Sequence, residues 1–440
     1  MNDETKVCVM GMGYVGLTLA VALADVGYDV TGVETNEDVV RSLNDGIPHF
    51  HEENLQSRLK EQLKEKRLKI VNQMPATSFT IYIISVGTPL LKGQKIPNLQ
   101  YIDHVVADVG RHLKKGSLVC LRSTIPVGTT RAKVIPALEY HSSLKAGIDF
   151  HVAFTPERTI EGKALVELRE NPQIVGGLSP KCVDMASAFF HRLTPTLITS
   201  SSLEASEFVK IIDNSYRDVR FAYANEIASI AEKLNLDATE VIRSANVHYP
   251  RNNIPVPSPG VGGACLSKDP HILIHFSKEA GYSPELISSA RKINEEMPRR
   301  IITRLDQEMR KIGKNLNNAT VLLAGFAFKG DPETADLRDS TSLWLLEEVG
   351  KHTPHIKGYD PVVSHKEIQK LGITPVNMPE GADQVDLLLI ANNHRSYRNW
   401  DMHEIAKRLR KPAIVYDSWR MLNKQVVSRL EGITYLGTGI

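Results

Sequence analysis

Residues 6–34 read KVCVMGMGYVGLTLAVALADVGYDVTGVE, and this stretch decides the fold. A short apolar run ends in glycine, and the turn Gly11-Met12-Gly13-Tyr14-Val15-Gly16 follows. The helical pattern LTLAVALADV comes next, Gly27 stops it, and a second apolar run closes on Glu34. Strand, glycine turn, helix, strand and acid in this order make a dinucleotide site. Gly11 allows the tight turn, Gly13 lets backbone approach a pyrophosphate, and Gly16 lets helix pack on strand. The helix N-terminus offers N–H groups and partial positive charge to the phosphates. Glu34 would accept from ribose hydroxyls and repel a 2′-phosphate, which favours NAD over NADP. The competing reading is a glycine turn with a structural role alone, and the two strands and the acid weigh against it.

Working outward, the alternation of strands and helices continues. TIYIISVGTP (80–89) and SLVCLRSTIPVGTT (117–130) read as strands with polar ends, and HVAFTPER (151–158) as another that places Glu157 at its carboxyl end. Ligands sit at the carboxyl ends of strands in open α/β sheets. Thr88 and Thr124 are therefore candidates for cofactor or water contacts, against the alternative of hydroxyls that cap a following helix. A second, echoing half begins at TVLLAGF (320–326). It runs through the helix SLWLLEEVGKH, the strand HIKGYDP ending at Asp360, VDLLLIANNH (385–394) and AIVYDSW (413–419). This half lacks GxGxxG, which suits a nucleotide-binding domain with a different ligand.

Between the halves, residues 203–235 form one strongly helical stretch. Phe208, Ile211, Ile212, Val219, Ala222, Ile227, Ile230 and Leu234 recur at three-to-four spacing, enough to bury a stripe and to carry a dimer seam. Lys210, Asn214 and Arg217 fall on one face. They are either a solvated polar stripe or a functional group. The chain of 440 residues has room for two to four domains, and its 42% hydrophobic and 24% charged residues are ordinary for a globular protein. No apolar run reaches the ~18 residues of a membrane span. Lys+Arg 53 against Asp+Glu 51 leaves a formal charge of +2 with no basic block, which argues against nucleic acid. The acidic start MNDET shows no signal peptide.

Only four cysteines occur, Cys8, Cys120, Cys182 and Cys265; this is no disulfide framework and fits a reducing cytoplasm. Cys8 and Cys120 lie within strand patterns, and Cys182 opens a helix without a basic or glycine-rich setting. Cys265 stands in PRNNIPVPSPGVGGACLSKDP (250–270). A glycine pair exposes a cysteine at close approach to a ligand, and Lys268 nearby would favour the thiolate. Cys265 is the candidate nucleophile, against the alternative of an inert loop thiol.

Seven separated motifs now form a pattern: GMGYVG (11–16), VGTP (86–89), STIPVGTT (123–130), PER…EG (156–162), KIIDN (210–214), GVGGACLSKDP (260–270) and AFKGDPETADLRDS (327–340). With these the chain resembles, end to end, the UDP-glucose/GDP-mannose dehydrogenase family of nucleotide-sugar 6-dehydrogenases. The resemblance implies two Rossmann-like doubly wound domains joined by a long central helix and a helical domain. It divides the chain into an NAD domain (1–200), a central dimerisation domain (201–300) and a UDP-sugar domain (301–440). It also implies NAD-dependent oxidation of the sugar C6 alcohol to the acid in two hydride transfers, through a thiohemiacetal and a thioester on Cys265.

By the same resemblance Lys210 and Asn214 stabilise the oxyanion, Glu157 and Asp269 manage water and protons in roles left open, and Thr124 helps to place water. Gly11, Gly13, Tyr14, Val15, Gly16, Glu34, Thr88, Thr124 and Arg338 match cofactor positions. Glu157, Arg158, Lys210, Asn214, Arg217, Arg251, Gly262, Phe328, Lys329 and Arg420 match substrate positions, with Arg251 reaching the sugar of the partner subunit. FTPERTIEGKALVELRENPQIVGG, NSYRDVRFAYANEIASIAEKLNL and YPRNNIPVPSPGVGG are most similar to the branch that acts on UDP-N-acetylhexosamines, above all UDP-N-acetylmannosamine. The chain departs from the family pattern at Ala264, at Ser267-Lys268-Asp269 and at Trp419, where arginine is frequent and here Arg420 is adjacent; Glu34 replaces the more usual aspartate. The implied partners are a UDP-sugar and a second copy or more of the chain, with no nucleic acid, membrane or metal, and the product would feed polysaccharide biosynthesis. Other readings are a UDP-glucose or other UDP-hexose dehydrogenase, a two-electron hydroxyacid-type dehydrogenase, and a non-catalytic NAD sensor.

Overall fold

The computed structural model describes residues 5–440; the acidic pair Asp3 and Glu4 lies outside the described residues. The apolar runs form strands as their β-branched and leucine content dictates. In the first sheet these are β1 (Lys6–Met10), β2 (Asp29–Val33), β3 (Leu68–Val71), β4 (Ile81–Ile84), β5 (Leu118–Leu121), β6 (His151–Phe154), β7 (Gln173–Gly177) and β8 (Leu197–Thr199). Their spatial order is β3-β2-β1-β4-β5-β6-β7-β8. Pairing is parallel from β3 to β6, antiparallel between β6 and β7, and parallel again to β8.

The second sheet contains β9 (Val321–Ala324), β10 (Ile356–Tyr359), β11 (Thr374–Pro375), β12 (Leu387–Ile390), β13 (Ala413–Asp417) and β14 (Ile433–Gly437). Its order is β11-β10-β9-β12-β13-β14, with every pair parallel. Both sheets are doubly wound. Along β1, Val7 and Val9 enter one buried apolar layer and Cys8 and Met10 the other. Along β9, Leu323 packs with Leu305 and Leu345, while Leu322 packs with Tyr397 and Ile405 on the opposite face. All nine strands expected from the sequence are present. The structure adds β3, β7, β8, β11 and β14, which lie toward or at sheet edges and are too short or too polar to stand out as runs.

The chain separates into two compact units. One runs through Asp213 and includes His271–Tyr282; the other comprises Asn214–Pro270 and Ser283–Ile440. The division falls inside a single helix, Leu203–Lys233. The apolar residues expected to form one stripe are split there: Ile211 and Ala222 are buried, whereas Phe208, Ile212, Ile230 and Leu234 are exposed.

In the first unit the glycine turn joins β1 to the helix Tyr14–Asp25. Gly16 sits where a Cβ would stand 1.8 Å from the carbonyl oxygen of Gly11, so no side chain fits without moving backbone. Gly16→Ala should therefore open the turn while the surrounding sheet persists. We expect NADH binding, followed by fluorescence titration, to weaken about tenfold (~1.4 kcal/mol); unchanged affinity would show that the turn does not set the cradle.

Candidate active site

In the first unit, the helix Tyr14–Asp25 starts at Gly13 with no side-chain cap, which leaves its first-turn N–H groups for an anion. Glu34, just beyond β2, accepts from the Met12 amide at 3.0 Å through one carboxylate oxygen and from the Asn36 amide at 3.1 Å through the other. This fixes the acid beside the turn and leaves lone pairs for ribose hydroxyls. The uncapped helix end, the space that Gly16 keeps clear and the placed acid fit the diphosphate and ribose of a dinucleotide. Thr88 donates its hydroxyl to the Thr124 carbonyl, and Ser123 donates to the Val86 carbonyl at 2.6 Å, so the carboxyl ends of β4 and β5 are tied together.

Glu157 and Lys210 lie together. Lys210 Nζ is 3.2 Å from Glu157 Oε2, with side-chain exposures of only 8% and 9%. Burial alone would raise the Glu157 pKa. Lys210, the Arg122 guanidinium and the Thr159 amide outweigh that and hold it below the usual carboxylate range. Arg122, buried just beyond the carboxyl end of β5, donates to the Thr155 carbonyl and to Gln173 Oε1, and has its own pKa lowered to about 10 by burial. Arg158 pairs with Asp213 at 2.8 Å. Tyr14 of the glycine turn donates to Glu52, a buried carboxylate that also accepts from the Gly162 and Ala164 amides, both at 2.7 Å.

In the second unit Gly263 takes φ +88°, and a Cβ on it would meet the Phe328 ring at 2.6 Å. Its amide donates to the Asp339 carbonyl at 2.9 Å. Glycine is thus required where the 260–270 loop crosses the 327–340 segment, and Gly262 and Phe328 are held in one place. Cys265 is exposed beyond the glycine pair, whereas Cys8, Cys120 and Cys182 are buried. Burial pushes the Cys8 and Cys120 thiols up to about 12. Asp269, wholly buried, accepts from Lys268 at 2.6 Å on one oxygen and from Asn214 at 2.6 Å on the other. The sequence placed Lys268 near the thiol; in the structure its ammonium meets Asp269.

The remaining expected residues are placed as follows. Arg217 is exposed, unlike Lys210 and Asn214 on the same helix. Arg251 lies against the Tyr249 ring and donates to its hydroxyl at 3.0 Å. Arg338 pairs with Asp336, and Lys329 stands 5.4 Å from the centroid of the Phe328 ring. Arg420 directs both terminal nitrogens at Asp237, at 3.1 and 2.9 Å. Sequence reasoning missed Arg122, Glu52 and a buried Arg291. Arg122 follows an apolar run, whereas Glu52 and Arg291 stand in polar stretches (PHFHEENLQS and ISSARKINEE), and neither setting reveals a partner.

Three domain models of the UDP-glucose/GDP-mannose dehydrogenase family match the chain: the NAD-binding domain over 5–194, the central domain over 204–296 and the UDP-binding domain over 322–424. A UDP-N-acetyl-D-mannosamine dehydrogenase of Pyrococcus horikoshii is 34% identical over 413 residues, 93% of this chain and 94% of that protein. The solved structure of UDP-D-ManNAc dehydrogenase from Pyrococcus horikoshii superposes with a TM-score of 0.89 at 32% identity, covering 99% of each chain. A UDP-glucose dehydrogenase structure from Pyrobaculum islandicum superposes with a TM-score of 0.87 at 25% identity, covering 99% of this chain and 98% of that one. The chain belongs to the UDP-glucose/GDP-mannose dehydrogenase family: it is an NAD-dependent UDP-sugar dehydrogenase.

The Glu157–Lys210 pair gives a pH signature. Because the folded pKa of Glu157 lies below its unfolded value of about 4.3, the stabilisation is present above that value and lost as pH falls through the folded pKa. Glu157→Gln should unfold more easily than the parent by about 3 kcal/mol at neutral pH. In denaturant titrations the gap should stay flat from pH 8 to 5 and narrow below about pH 4. A gap that persists into acid would exclude an ionised Glu157.

Proposed function

We propose that this member of the family oxidises the C6 alcohol of a UDP-N-acetylhexosamine, UDP-N-acetylmannosamine foremost, to the uronic acid in a four-electron reaction. One observation carries the reading: the single exposed thiol, Cys265, stands on a glycine-built loop four residues before a buried carboxylate, Asp269, held by Asn214 and Lys268. NAD, held by Gly11, Gly13, Tyr14, Val15, Gly16, Glu34, Thr88, Thr124 and Arg338, supplies the hydride acceptor for both oxidations. Loss of a first hydride from C6, with the hydroxyl proton passing to a carboxylate of the site or to water, would leave a C6 aldehyde, whose carbonyl carbon cannot be oxidised again until a nucleophile adds. The Cys265 thiolate adds there and a proton goes to the oxygen, giving a thiohemiacetal. Loss of the second hydride and of that proton gives a thioester. Water then cleaves the C–S bond, releasing the acid and restoring the thiol.

The ammonium of Lys210 and the amide of Asn214 stabilise charge on the C6 oxygen. Glu157, ionised at neutral pH and paired with Lys210, and Asp269 manage water and protons between them, with Thr124 helping to place water. Arg158, Arg217, Lys329, Phe328, Gly262, Arg420 and, from a second subunit, Arg251 bind the UDP-sugar in this reading; Arg420 is paired with Asp237 in the structure. The names of the mannosamine relatives favour the N-acetyl sugar, and the UDP-glucose relative's likeness makes UDP-glucose the second candidate.

We also read the chain as three domains with limits near 200 and 300, as the spans of the family models support, and as a protein of the reducing cytoplasm, which four thiols without a disulfide support. No helix among the described residues is long and apolar enough to cross a membrane. The homodimer reading rests on the helix Leu203–Lys233 and the turn after it. Phe208, Ile212, Tyr216, Tyr223, Ile230 and Leu234 are all at least 42% exposed and fall within one face. A second copy of the chain would bury that ridge.

Counting NADH per UDP-sugar consumed tests the activity. Two per sugar are expected with UDP-N-acetylmannosamine; one would demote the enzyme to a two-electron dehydrogenase, and a faster turnover of UDP-glucose would reassign the substrate. Cys265→Ala should bind NADH normally and yield no acid, so undiminished acid formation ends the covalent mechanism. For assembly, Tyr216→Glu with Tyr223→Glu should lower the mass measured by light scattering to that of one chain; an unchanged mass places the contact elsewhere.

A further inference from the structure

A buried polar network in the second unit has no role in the reaction as described. Arg291, on the helix Glu285–Lys311, is 1% exposed. Its guanidinium donates to the Asp218 carboxylate at 2.9 Å and to the carbonyls of Val261 and Leu266, both at 2.8 Å. Glu295 lies 3.5 Å from its Nε. Val261 and Leu266 stand immediately outside Gly262-Gly263-Ala264-Cys265, so one side chain holds both ends of the cysteine loop.

The rest of the network fixes that clamp. Asn294 Nδ2 donates to the carbonyl and carboxylate oxygens of Asp218, both at 2.9 Å. Asn225 Nδ2 donates to Asn294 Oδ1 at 2.9 Å, and the Ser258 amide donates to Asn225 Oδ1 at 2.8 Å. Ser258 Oγ then donates to the Gly260 carbonyl at 2.8 Å. Three loop carbonyls, those of residues 260, 261 and 266, are thereby held by side chains from outside the glycine pair.

We propose that Arg291 is a positioning residue for Cys265: its fork spans Val261 and Leu266 and fixes where the thiol stands. The inference rests on Cys265 as the nucleophile. Paired glycines have little conformational preference of their own, so the geometry of the loop has to be imposed by its neighbours. Arginine is suited to the task because its rigid, planar set of five donors meets several acceptors at fixed angles, whereas lysine is a point charge on a flexible stem. Placement matters most for the step in which sulfur meets the aldehyde carbon, since a misplacement of about 1 Å can cost ~100-fold. The first hydride transfer does not use the thiol.

Arg291→Lys keeps a cation opposite Asp218 but cannot span both carbonyls. In the full enzyme, amide hydrogen exchange over residues 260–270 should speed up about tenfold, with exchange in the first sheet unchanged. The first oxidation should proceed near the parent rate while acid formation falls about 10- to 100-fold, so that NADH per sugar drops from two toward one and aldehyde accumulates. Should this variant not fold, Ser258→Ala, which removes the Gly260 tie and a 3.5 Å bond from Asn225 Nδ2 while leaving Arg291 in place, is read in the same two assays with a smaller effect in the same direction. Unaltered exchange over 260–270 overturns the clamp. Faster exchange with both oxidations reduced in proportion overturns the positioning role and leaves a structural one. Cys265→Ala separates the two ideas: it should retain parental exchange, and if it still makes acid, the nucleophile reading has failed whatever Arg291 does.

Discussion

Polar groups taken out of water have to be matched, and the helix Leu203–Lys233 buries five of them along one side. Glu207, Lys210, Asn214, Asp218 and Asn225 are each at most 7% exposed and lie on one face of the helix. Each has its partner: Glu207 takes the amides of Gly128 and Thr130, Lys210 meets Glu157, Asn214 meets Asp269, Asp218 meets Arg291, and Asn225 meets Asn294. The opposite face carries the exposed ridge from Phe208 to Tyr223. An ordinary surface helix points its apolar stripe inward and its charges outward; this one buries a polar row beside Ile211 and Ala222 and exposes an apolar ridge. Removing one member of a buried charge pair costs about 3–5 kcal/mol, so Glu157 and Arg291, the charged partners from other segments, are constrained in sequence and position. The residues proposed to do chemistry are therefore also the residues that fix the packing.

The sheets supply the second constraint. Strands that run parallel bring their carboxyl ends to one edge, so Glu34, Thr88, Thr124 and Glu157 gather at one edge of the first sheet although they are far apart in sequence. The glycine turn is built into the same edge. There the helix N-terminus is uncapped and Gly16 leaves no room for a side chain, so backbone, not side chains, meets the diphosphate. A near-neutral chain can hold such an anion because the field is local.

Much of this was legible in the sequence wherever a local period or a short spacing carried the signal. The β1–turn–helix–β2 unit and the strands ending at Ile84, Leu121 and Phe154 are continuous apolar runs, and these announce buried parallel strands. Lys210 and Asn214 were legible as one face. Arg217, read with them, is exposed, and Asp218, one residue on, belongs to the buried row. No helical period separates these two, because only the partner Arg291, 73 residues away, makes Asp218 affordable in the interior. Arg122 was hidden in the same way. Inside a strand it reads as a surface charge, and its acceptor Gln173 comes from β7, a strand with no alternating pattern to reveal it. Strands β11 and β14 escaped notice because a two-residue edge strand and a mixed polar one lack any period.

Fold cannot choose among sugars, since relatives with different sugars share this architecture; the choice lies in a few side chains. It does choose among thiols. Burial pushes the Cys8 and Cys120 thiols up to about 12 and so disfavours the thiolate form that a nucleophile needs. Cys182 is enclosed, with its sulfur 3.6 Å from His151 and its helix capped by Ser179. Cys265 alone meets solvent, and it does so on a stretch where two glycines remove the steric shield that side chains would give. In the reaction proposed for this chain, a nucleophile has to add to the aldehyde carbon before the second oxidation; Cys265 is the exposed thiol, and its loop is tied at Gly260, Val261 and Leu266 by Ser258 and Arg291.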